Sequence, residues 1–307
     1  MADLIFQSYG DVSRVTDVVL NAIEILTAKE NYLLNSLGKT VAKDTVHSYL
    51  TDTLKAAAAN AVGEVTDFTL NTRTAPSKLT NLVQIIAIPF AVSRTQQQIE
   101  HFHGQNELER QTQKALIEWA NDAEFAIVRS TYVTGLSGTA PAMSGLLEAV
   151  SGTGNYTAHN SGTAFSATIL SGLMKMNWDV SNGDVATDVF MGSYLKNVAD
   201  SFVQKSNVVV QGTMTTLVNT VSVLTTSFGT VALHAHRYIQ QSSDSATAGR
   251  VLGLNPEKLK IAYLQKPTID TTLSRSGDYD TRAVVGKLTL EVHAKLSNFI
   301  ATGCFIG

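Results

Sequence analysis

A long amphipathic stretch in the first half of the chain, residues 104–134, constrains the fold more than any other part of the sequence. Its apolar residues recur at steps of three and four positions, the spacing that places them on one face of an α-helix. Asn106 can cap the first turn, and Gly135 follows the last turn. About 28 helical residues at ~1.5 Å each make a rod of about 42 Å. The stretch therefore predicts a spine helix against which the rest of the chain packs.

The two faces of this helix differ in residue type. The stripe predicted to be buried comprises Leu108, Ala115, Leu116, Trp119, Ala123 and Ile127. The residues predicted to face water are Glu107, Glu109, Arg110, Lys114, Glu118, Asp122 and Glu124. A single long core helix in an ordinary α+β domain would show the same pattern, so the rest of the chain has to decide between the two interpretations.

Charge is scarce and unevenly distributed. Charged residues make up 16% of the 307 residues, against about 25% in ordinary soluble domains. Between residues 130 and 174 the only charged side chain is Glu148, and residues 206–236 contain none. Many Ser, Thr, Asn and Gln side chains in the second run argue against a lipid-facing helix. Because interface cores are depleted in charge, we expect much of the surface to face copies of the chain, with a merely Ser/Thr-rich surface as the alternative.

The termini and the cysteine content suggest an intracellular, soluble protein. The first residues carry acids where a signal peptide needs a basic region and an apolar segment. Residues 82–92 are apolar but too short to span a bilayer and are interrupted by Pro89. Cys304 is the only cysteine, which excludes an intrachain disulfide and a cysteine-based zinc site, and we expect it to be a small buried hydrophobe. No membrane partner is expected.

The segment before the spine changes character along its length. Residues 13–27 and 29–38 have helical patterns, but neither can form a core alone, so this arm must lie on something else. Residues 46–54, 65–70 and 82–92 read as strands, with turn-forming residues at 71–77. Few large side chains are available to pack between these strands. Residues 40–93 therefore predict an extended excursion whose partners are elsewhere, on a neighbouring chain.

After the spine, helices and strands are mixed, which predicts an α+β fold. Helices are expected at residues 140–150, 165–178 and 185–203, with a glycine-rich loop at 151–163. Strands are expected within 208–239, then at 260–265, 283–292 and 298–306, the last two as a pair. A helical turn is expected at 255–259, and residues 270–282 are rich in turn formers. No repeat or linker separates independent domains.

The motifs that could carry chemistry are weak. His-x-His pairs at residues 101–103 and 234–236 place two rings on one strand face, but no third metal ligand follows from the pattern. Residues 152–155 lack the later glycine and the Lys-Ser/Thr of a P-loop, and residues 135–138 miss the spacing of a nucleophile elbow by one position. We therefore expect no catalytic, cofactor-binding or metal site, and no enzyme activity.

Several longer segments resemble a known family. They are residues 47–64, 88–104, 107–128, 189–202 and 254–303, which together cover most of the chain. In amino-acid sequence and in order along the chain, they are similar to the major capsid (major head) protein of tailed bacteriophages, which has the Hong Kong 97-type shell fold. No single motif among them is diagnostic, since shell proteins carry no catalytic signature.

The resemblance implies a set of parts. Residues 1–39 would be an N-terminal arm, and residues 40–93 an extended β E-loop lying over an adjacent subunit. Residues 94–139 and 241–307 would form a peripheral domain with its spine helix at 104–134, and residues 140–240 an axial domain. Lys39, Lys43 and Lys55 are present in or near the E-loop, but none matches the cross-linking motif of some relatives.

The function implied is that of a structural subunit of an icosahedral head, forming pentamers and hexamers that enclose double-stranded DNA. The expected partners are the chain itself, a separate scaffolding protein, a portal, a possible decoration protein and non-specifically held DNA. The expected location is the virion capsid after assembly in the bacterial cytoplasm. The residues expected at assembly interfaces are Tyr49, Leu50, Asp52, Leu54, Phe68, Phe190, Tyr194 and Asn197.

Three other functions remain open from the residues alone. An encapsulin-like compartment would share the fold but enclose a cargo protein. A tail or baseplate component would form a tube or ring. A soluble oligomeric enzyme would need a charged or nucleophilic cluster in one cleft, which the uncharged runs disfavour.

Overall fold

A computed structural model of the chain describes residues 5–6, 31–52, 54–55, 57–64, 67, 73, 75–99, 106–135, 138–151, 156–181, 183–204, 223–240, 249–274 and 277–304. Its helices are α1 (Tyr32–Ser36), α2 (Arg94–Gln98), α3 (Glu107–Arg129), α4 (Leu146–Ser151), α5 (Ala167–Ser181) and α6 (Ser193–Gln204). Its strands are β1 (Ile5–Phe6), β2 (Gly38–Val41), β3 (Val46–Thr51), β4 (Ser77–Leu82), β5 (Gln84–Ser93), β6 (Tyr156–Thr163), β7 (Asp188–Met191), β8 (Val223–Thr226), β9 (Gly229–Ala235), β10 (Gly249–Leu254), β11 (Leu259–Asp270), β12 (Tyr279–Val292) and β13 (Phe299–Cys304). Short 3₁₀ turns lie at Pro256–Lys258 and Lys295–Ser297.

The spine helix exists as α3, but it is shorter than the sequence pattern suggests. The Asn106 side chain accepts a hydrogen bond from the Leu108 amide at 2.9 Å, so the predicted cap is confirmed. The helix ends at Arg129 because Ser130 is extended and its carbonyl accepts from the Gly145 amide at 2.8 Å. Its 23 residues correspond to about 35 Å at ~1.5 Å per residue.

The faces of α3 follow the prediction except at three residues. Leu116, predicted to be buried, is 39% exposed. Glu107 and Glu124, predicted to face water, are fully buried. Glu107 accepts hydrogen bonds from Arg110 and Gln111, and Glu124 accepts from donors outside the helix. A carboxylate is stable in the interior only when such donors reach it, and the helix periodicity does not reveal them.

A five-stranded sheet with the order β1-β5-β12-β11-β2 packs against α3. The Trp119 indole crosses the interface and donates from Nε1 to the Ile86 carbonyl at 3.1 Å. Opposite the ring lies Gly286, where an added Cβ would come within 2.3 Å of Trp119 Cζ2. The indole therefore fits only because β12 has no side chain there. Strand β12 begins inside the region predicted to be turns, because its residues 279–282 pair with β5. Strand β11 continues past its predicted end and pairs with β12 as far as Asp270.

A six-stranded sheet with the order β6-β13-β10-β7-β9-β8 forms the second layer, with α5 and α6 against it. Strand β7 and helix α6 replace the single helix predicted at 185–203. Pairing of β7 with both β10 and β9 overrides the local helical pattern. Strand β6 lies in the predicted glycine-rich loop and pairs with β13. Strands β12 and β13, predicted as a pair, lie in different sheets.

The two sheets do not divide the chain at residues 140 and 240. Strands β10 and β13 come from the segment that the sequence placed in the peripheral domain, yet they belong to the six-stranded sheet. The larger apolar cluster includes Trp119 and Ile127 of α3 together with Phe190 and Leu252 of that sheet. This cluster therefore joins the two layers.

Strands β3 and β4 form a separate antiparallel pair, the β3–β4 ribbon, with Val46 opposite Leu82 and Thr51 opposite Ser77. The prediction had a strand at 46–54 and turns at 71–77, so β4 is an addition. The strand predicted at 65–70 and the arm helix at 13–27 lie outside the described residues. Helix α1 falls within the second predicted arm helix, although Gly38 begins β2 instead of ending the helix. Among the described helices, none has both the length and the apolar character needed to cross a membrane.

Candidate assembly surfaces

The β3–β4 ribbon presents apolar side chains to solvent. The exposure of β3 alternates: Val46, Ser48 and Leu50 face outward, while His47 and Tyr49 face the body. Leu50 is 65% exposed and Leu54, just beyond the strand, is 94% exposed. Asp52 between them is also exposed. Phe68, the remaining interface residue predicted in this region, lies outside the described residues.

Within the described residues, Leu82 at the base of β4 is the one buried apolar side chain of this ribbon. The described residues form three buried apolar clusters, and none of the three contains a residue between 43 and 82. Exposed apolar side chains on a paired strand, without a core beneath them, are typical of a surface that another molecule covers. The ribbon is therefore the strongest candidate for an assembly surface.

Tyr49 is predicted to lie at an assembly interface, but in the structure its side chain faces the body of its own chain. Its hydroxyl accepts a hydrogen bond from the Val292 amide at 3.2 Å, and its ring packs edge-on to His293. Burial raises the pKa of the Tyr49 hydroxyl, the Glu291 carboxylate raises it further, and the bond from Val292 opposes both. Tyr49 thus holds the ribbon to its own chain.

Among the predicted interface residues of the second layer, one is buried in the core and two are exposed at the surface. Phe190 is fully buried in β7, with its ring 5.1 Å from that of His234 and 5.5 Å from that of Tyr32. Its assignment to an assembly interface is corrected: it is a core residue, because β7 is the middle of a sheet and not an exposed helix face. Tyr194 is 40% exposed and Asn197 is exposed, both on α6, so they remain candidates.

The sequence prediction missed a buried polar junction around Glu124. One carboxylate oxygen accepts from the Leu33 amide at 2.9 Å and from His236 Nε2 at 2.8 Å, and the other accepts from the Leu34 amide at 2.7 Å. The Glu124 carboxylate of α3 thus caps the N-terminus of α1, where the Asn31 side chain makes no capping hydrogen bond. The sequence did hold one indication that Glu124 is buried: it lies one turn from Ala120 and from Val128, on the apolar side of the helix.

This junction fixes the arm segment across both layers. Leu33, Leu34 and Leu37, in the described part of the arm, are buried in the larger apolar cluster. Tyr32 packs against Phe190 and His234 in the six-stranded sheet.

The second His-x-His pair has a structural role. His234 Nε2 lies 2.9 Å from Asp188 and His236 binds Glu124, while both rings contact that of Phe190. The expectation that both rings share a face is confirmed. Within the described part of the chain, no group of three His, Cys, Asp or Glu side chains is arranged to hold a metal ion. His101, His103 and residues 152–155 lie outside the described residues. Cys304 is buried, as expected, and burial raises the pKa of its thiol.

Comparison with known proteins accounts for this architecture. The model of the SU10 major capsid protein family matches residues 5–305. Comparison with curated proteins finds no match. A solved chain from the capsid of Myoviridae phage XM1 is 14% identical, with a TM-score of 0.62 over 94% of this chain and 96% of the other. A chain from the capsid of a native GTA particle is 10% identical, with a TM-score of 0.64 over 96% and 97% of the two chains.

A further neighbour is the SrpI encapsulin of Synechococcus elongatus, 9% identical with a TM-score of 0.61 over 95% and 93% of the two chains. At these identities the neighbours show a shared fold. The expected Hong Kong 97-type shell fold is confirmed, and so is the resemblance to major capsid proteins of tailed phages.

Proposed function

Because the chain belongs to the SU10 major capsid protein family, we propose that it forms the pentamers and hexamers of an icosahedral tailed-phage head. Family membership makes it a structural subunit of a self-assembling phage capsid, located in the virion.

The exposed β3–β4 ribbon is the observation that supports the proposal. Leu50 and Leu54 are exposed and stabilise the free subunit little, and contact with a neighbouring copy would bury them. Residues 52–76 link the two strands, and an extended chain reaches up to ~3.5 Å per residue. We therefore assign this region as the E-loop, lying on an adjacent subunit. Repeated over many copies, modest contacts of this kind close a stable shell.

The two layers suggest where the other contacts lie. We assign the five-stranded sheet with α3 to the peripheral domain and the six-stranded sheet with α5 and α6 to the axial domain, where Tyr194 and Asn197 face neighbours around a symmetry axis. The net charge of -3 suits an inner wall that neither repels nor tightly binds packaged double-stranded DNA. A scaffolding protein, a portal and a decoration protein are the further partners we propose, with assembly in the bacterial cytoplasm.

The test replaces residues 52–76 by Asn-Gly, which joins Thr51 to Ser77 through a two-residue hairpin turn. Light scattering and negative-stain microscopy then compare the variant with the unaltered protein. We expect shells or rings of five and six from the unaltered protein. The variant should be a soluble, folded subunit that forms none, since the body of the chain keeps its whole core.

The control is the melting temperature of the unassembled subunits, which should be nearly the same for both proteins. Normal shells from a folded variant would overturn the E-loop assignment. A compact monomer or dimer from the unaltered protein, with and without a co-expressed scaffold, would contradict self-assembly into pentamers and hexamers.

A protein compartment is the alternative, because the SrpI encapsulin shares the fold. The contents of shells purified from the native source distinguish the two functions. Nuclease-protected DNA supports a phage head, and a stoichiometric enclosed protein supports a compartment.

A further inference from the structure

We propose that Glu291 is a positioning residue that sets the direction in which the β3–β4 ribbon leaves the body, through a latch made with His47 and His293. The inference rests on the proposed role of the ribbon in assembly and identifies what controls it. The latch lies where the ribbon begins, next to the end of β12.

The carboxylate of Glu291 lies between two imidazoles. One oxygen is 2.5 Å from His47 Nε2, on the ribbon, and the other is 2.8 Å from His293 Nε2, just past β12. The Glu291 side chain is only 7% exposed and that of His47 12%. An ionised carboxylate only accepts hydrogen bonds, so both Nε2 atoms donate to it. Two bonds to one buried group restrict its rotation and hence the position of His47.

Tyr49 supplies a second contact on the same face of β3. Its hydroxyl accepts from the Val292 amide, and its ring centroid is 6.3 Å from that of His47 and 5.2 Å from that of His293. His47 and Tyr49 are two residues apart, so both point to the body from one side of the strand. The strand is thus held at two successive inward positions, both beside Glu291.

The other strand of the ribbon is also held by polar contacts. Asn81 donates from Nδ2 to the carbonyls of Leu290 and Ser144 and accepts from the Ser144 amide. Hydrogen bonds of this kind are directional and individually modest, whereas apolar packing tolerates a range of angles. A ribbon attached by hydrogen bonds therefore has a defined direction that one substitution can release without unfolding the body.

The direction matters because the ribbon acts as a lever. A small rotation about its attachment becomes a large displacement at Leu54 and beyond. A neighbour can bury the exposed apolar residues only if the ribbon reaches it at the right angle.

The direction can be measured on the unassembled full-length subunit by electron–electron double resonance. Spin labels at Ser48→Cys and Leu116→Cys report the distance between ribbon and spine, since both positions are exposed. Cys304 is buried and burial raises the pKa of its thiol, which limits labelling there. We expect one narrow distance distribution in the parent and a broader, shifted one after Glu291→Ala.

Three further variants make the test specific. His47→Ala removes the latch from the ribbon side and leaves Glu291 paired with His293, so it should broaden the distribution even if Glu291→Ala unfolds. Glu291→Gln keeps one acceptor oxygen and should restore much of the parent distribution. Lys78→Ala removes an exposed charge from the outward face of the ribbon and should leave the distribution unchanged.

The outcomes separate the latch from the proposed function. Unchanged distances in both Glu291→Ala and His47→Ala would overturn the latch. A broadened distribution together with a normal yield of regular shells from the unlabelled variant would overturn the positioning role. Failure of the proposed function would appear elsewhere, as normal shells from the Asn-Gly replacement of residues 52–76.

Discussion

The spine and the β3–β4 ribbon both carry apolar side chains, but the spine buries them within the chain and the ribbon leaves them exposed. Helix α3 buries its apolar stripe inside the chain, with Trp119 only 2% exposed against a glycine of β12. The ribbon leaves Leu54 94% exposed and is attached to the body by polar contacts. The spine therefore buries its apolar face within the chain, whereas we propose that the ribbon completes its burial in the assembled shell.

Histidine-bound carboxylates occur in both regions, with different consequences. Glu124 joins three segments inside the core, so its loss should affect folding. Glu291 joins the ribbon to the edge of the body, so its loss should affect geometry. Both carboxylates are buried, so the number and the location of the partners distinguish the stability role expected of Glu124 from the positioning role proposed for Glu291.

The largest effect is expected from Phe190→Asp, which puts a carboxylate into a fully buried aromatic cluster. Losing the ring alone costs about 3–5 kcal/mol, and burying a charge adds to it. We expect an insoluble or unfolded subunit in chemical denaturation and circular dichroism. The matched variant Tyr194→Asp changes a 40% exposed residue of α6 and should fold normally. Equal destabilisation by both would contradict the division into core and surface.

Glu124→Ala should destabilise the body by roughly 2–4 kcal/mol, because two amides and His236 lose a buried acceptor. Urea unfolding measures the change, and proteolysis near residue 31 should increase as α1 detaches. Glu118→Ala is the control on the same helix. Its exposed pair with Lys114 at 3.7 Å should contribute no more than about 0.5 kcal/mol. A small effect of Glu124→Ala would mean that α1 is held by its leucines alone.

Leu54→Asp should leave the free energy of unfolding within about 0.5 kcal/mol of the parent, since the side chain is exposed. The yield of shells should nevertheless fall, because a charge would be buried at the contact with a neighbour. Negative-stain particle counts at equal protein concentration give the measurement. Unchanged assembly would show that Leu54 does not lie at the interface, and Leu50 and Asp52 would be tested next.

The smallest effect is expected from Asp122→Asn on α3. Partial burial raises the pKa of the Asp122 carboxyl, and Glu118 raises it further, so the folded state favours the protonated form. Stability is then lost as the pH rises from the ordinary carboxyl range through the raised pKa. The variant should match the parent at acidic pH and exceed it near neutrality by less than about 0.5 kcal/mol, since solvent screens the site. Urea unfolding of both proteins across that range checks the sign.

The local sequence pattern predicted a large part of this structure. Residues a few positions apart predict the spine with its Asn106 cap, strand β5 and helix α5, and the low charge is read directly from the sequence. The order of such elements also carried the resemblance to a phage capsid protein, which the family match confirms. An exposed ribbon without a core was foreseeable because few large side chains lie between residues 40 and 93.

Tertiary structure alone decided the rest. The donors that make a buried Glu124 stable are about 90 positions away, as the Leu33 and Leu34 bonds show separations of 91 and 90 residues. Strand β7 exists because β9 and β10 pair with it on both sides, and β13 lies beside β6 instead of β12 for the same reason. Hydrogen-bond partners and burial of this kind depend on which distant segments meet. Periodicity records only near neighbours along the chain, so it locates helices and apolar faces but not the carboxylates that join them.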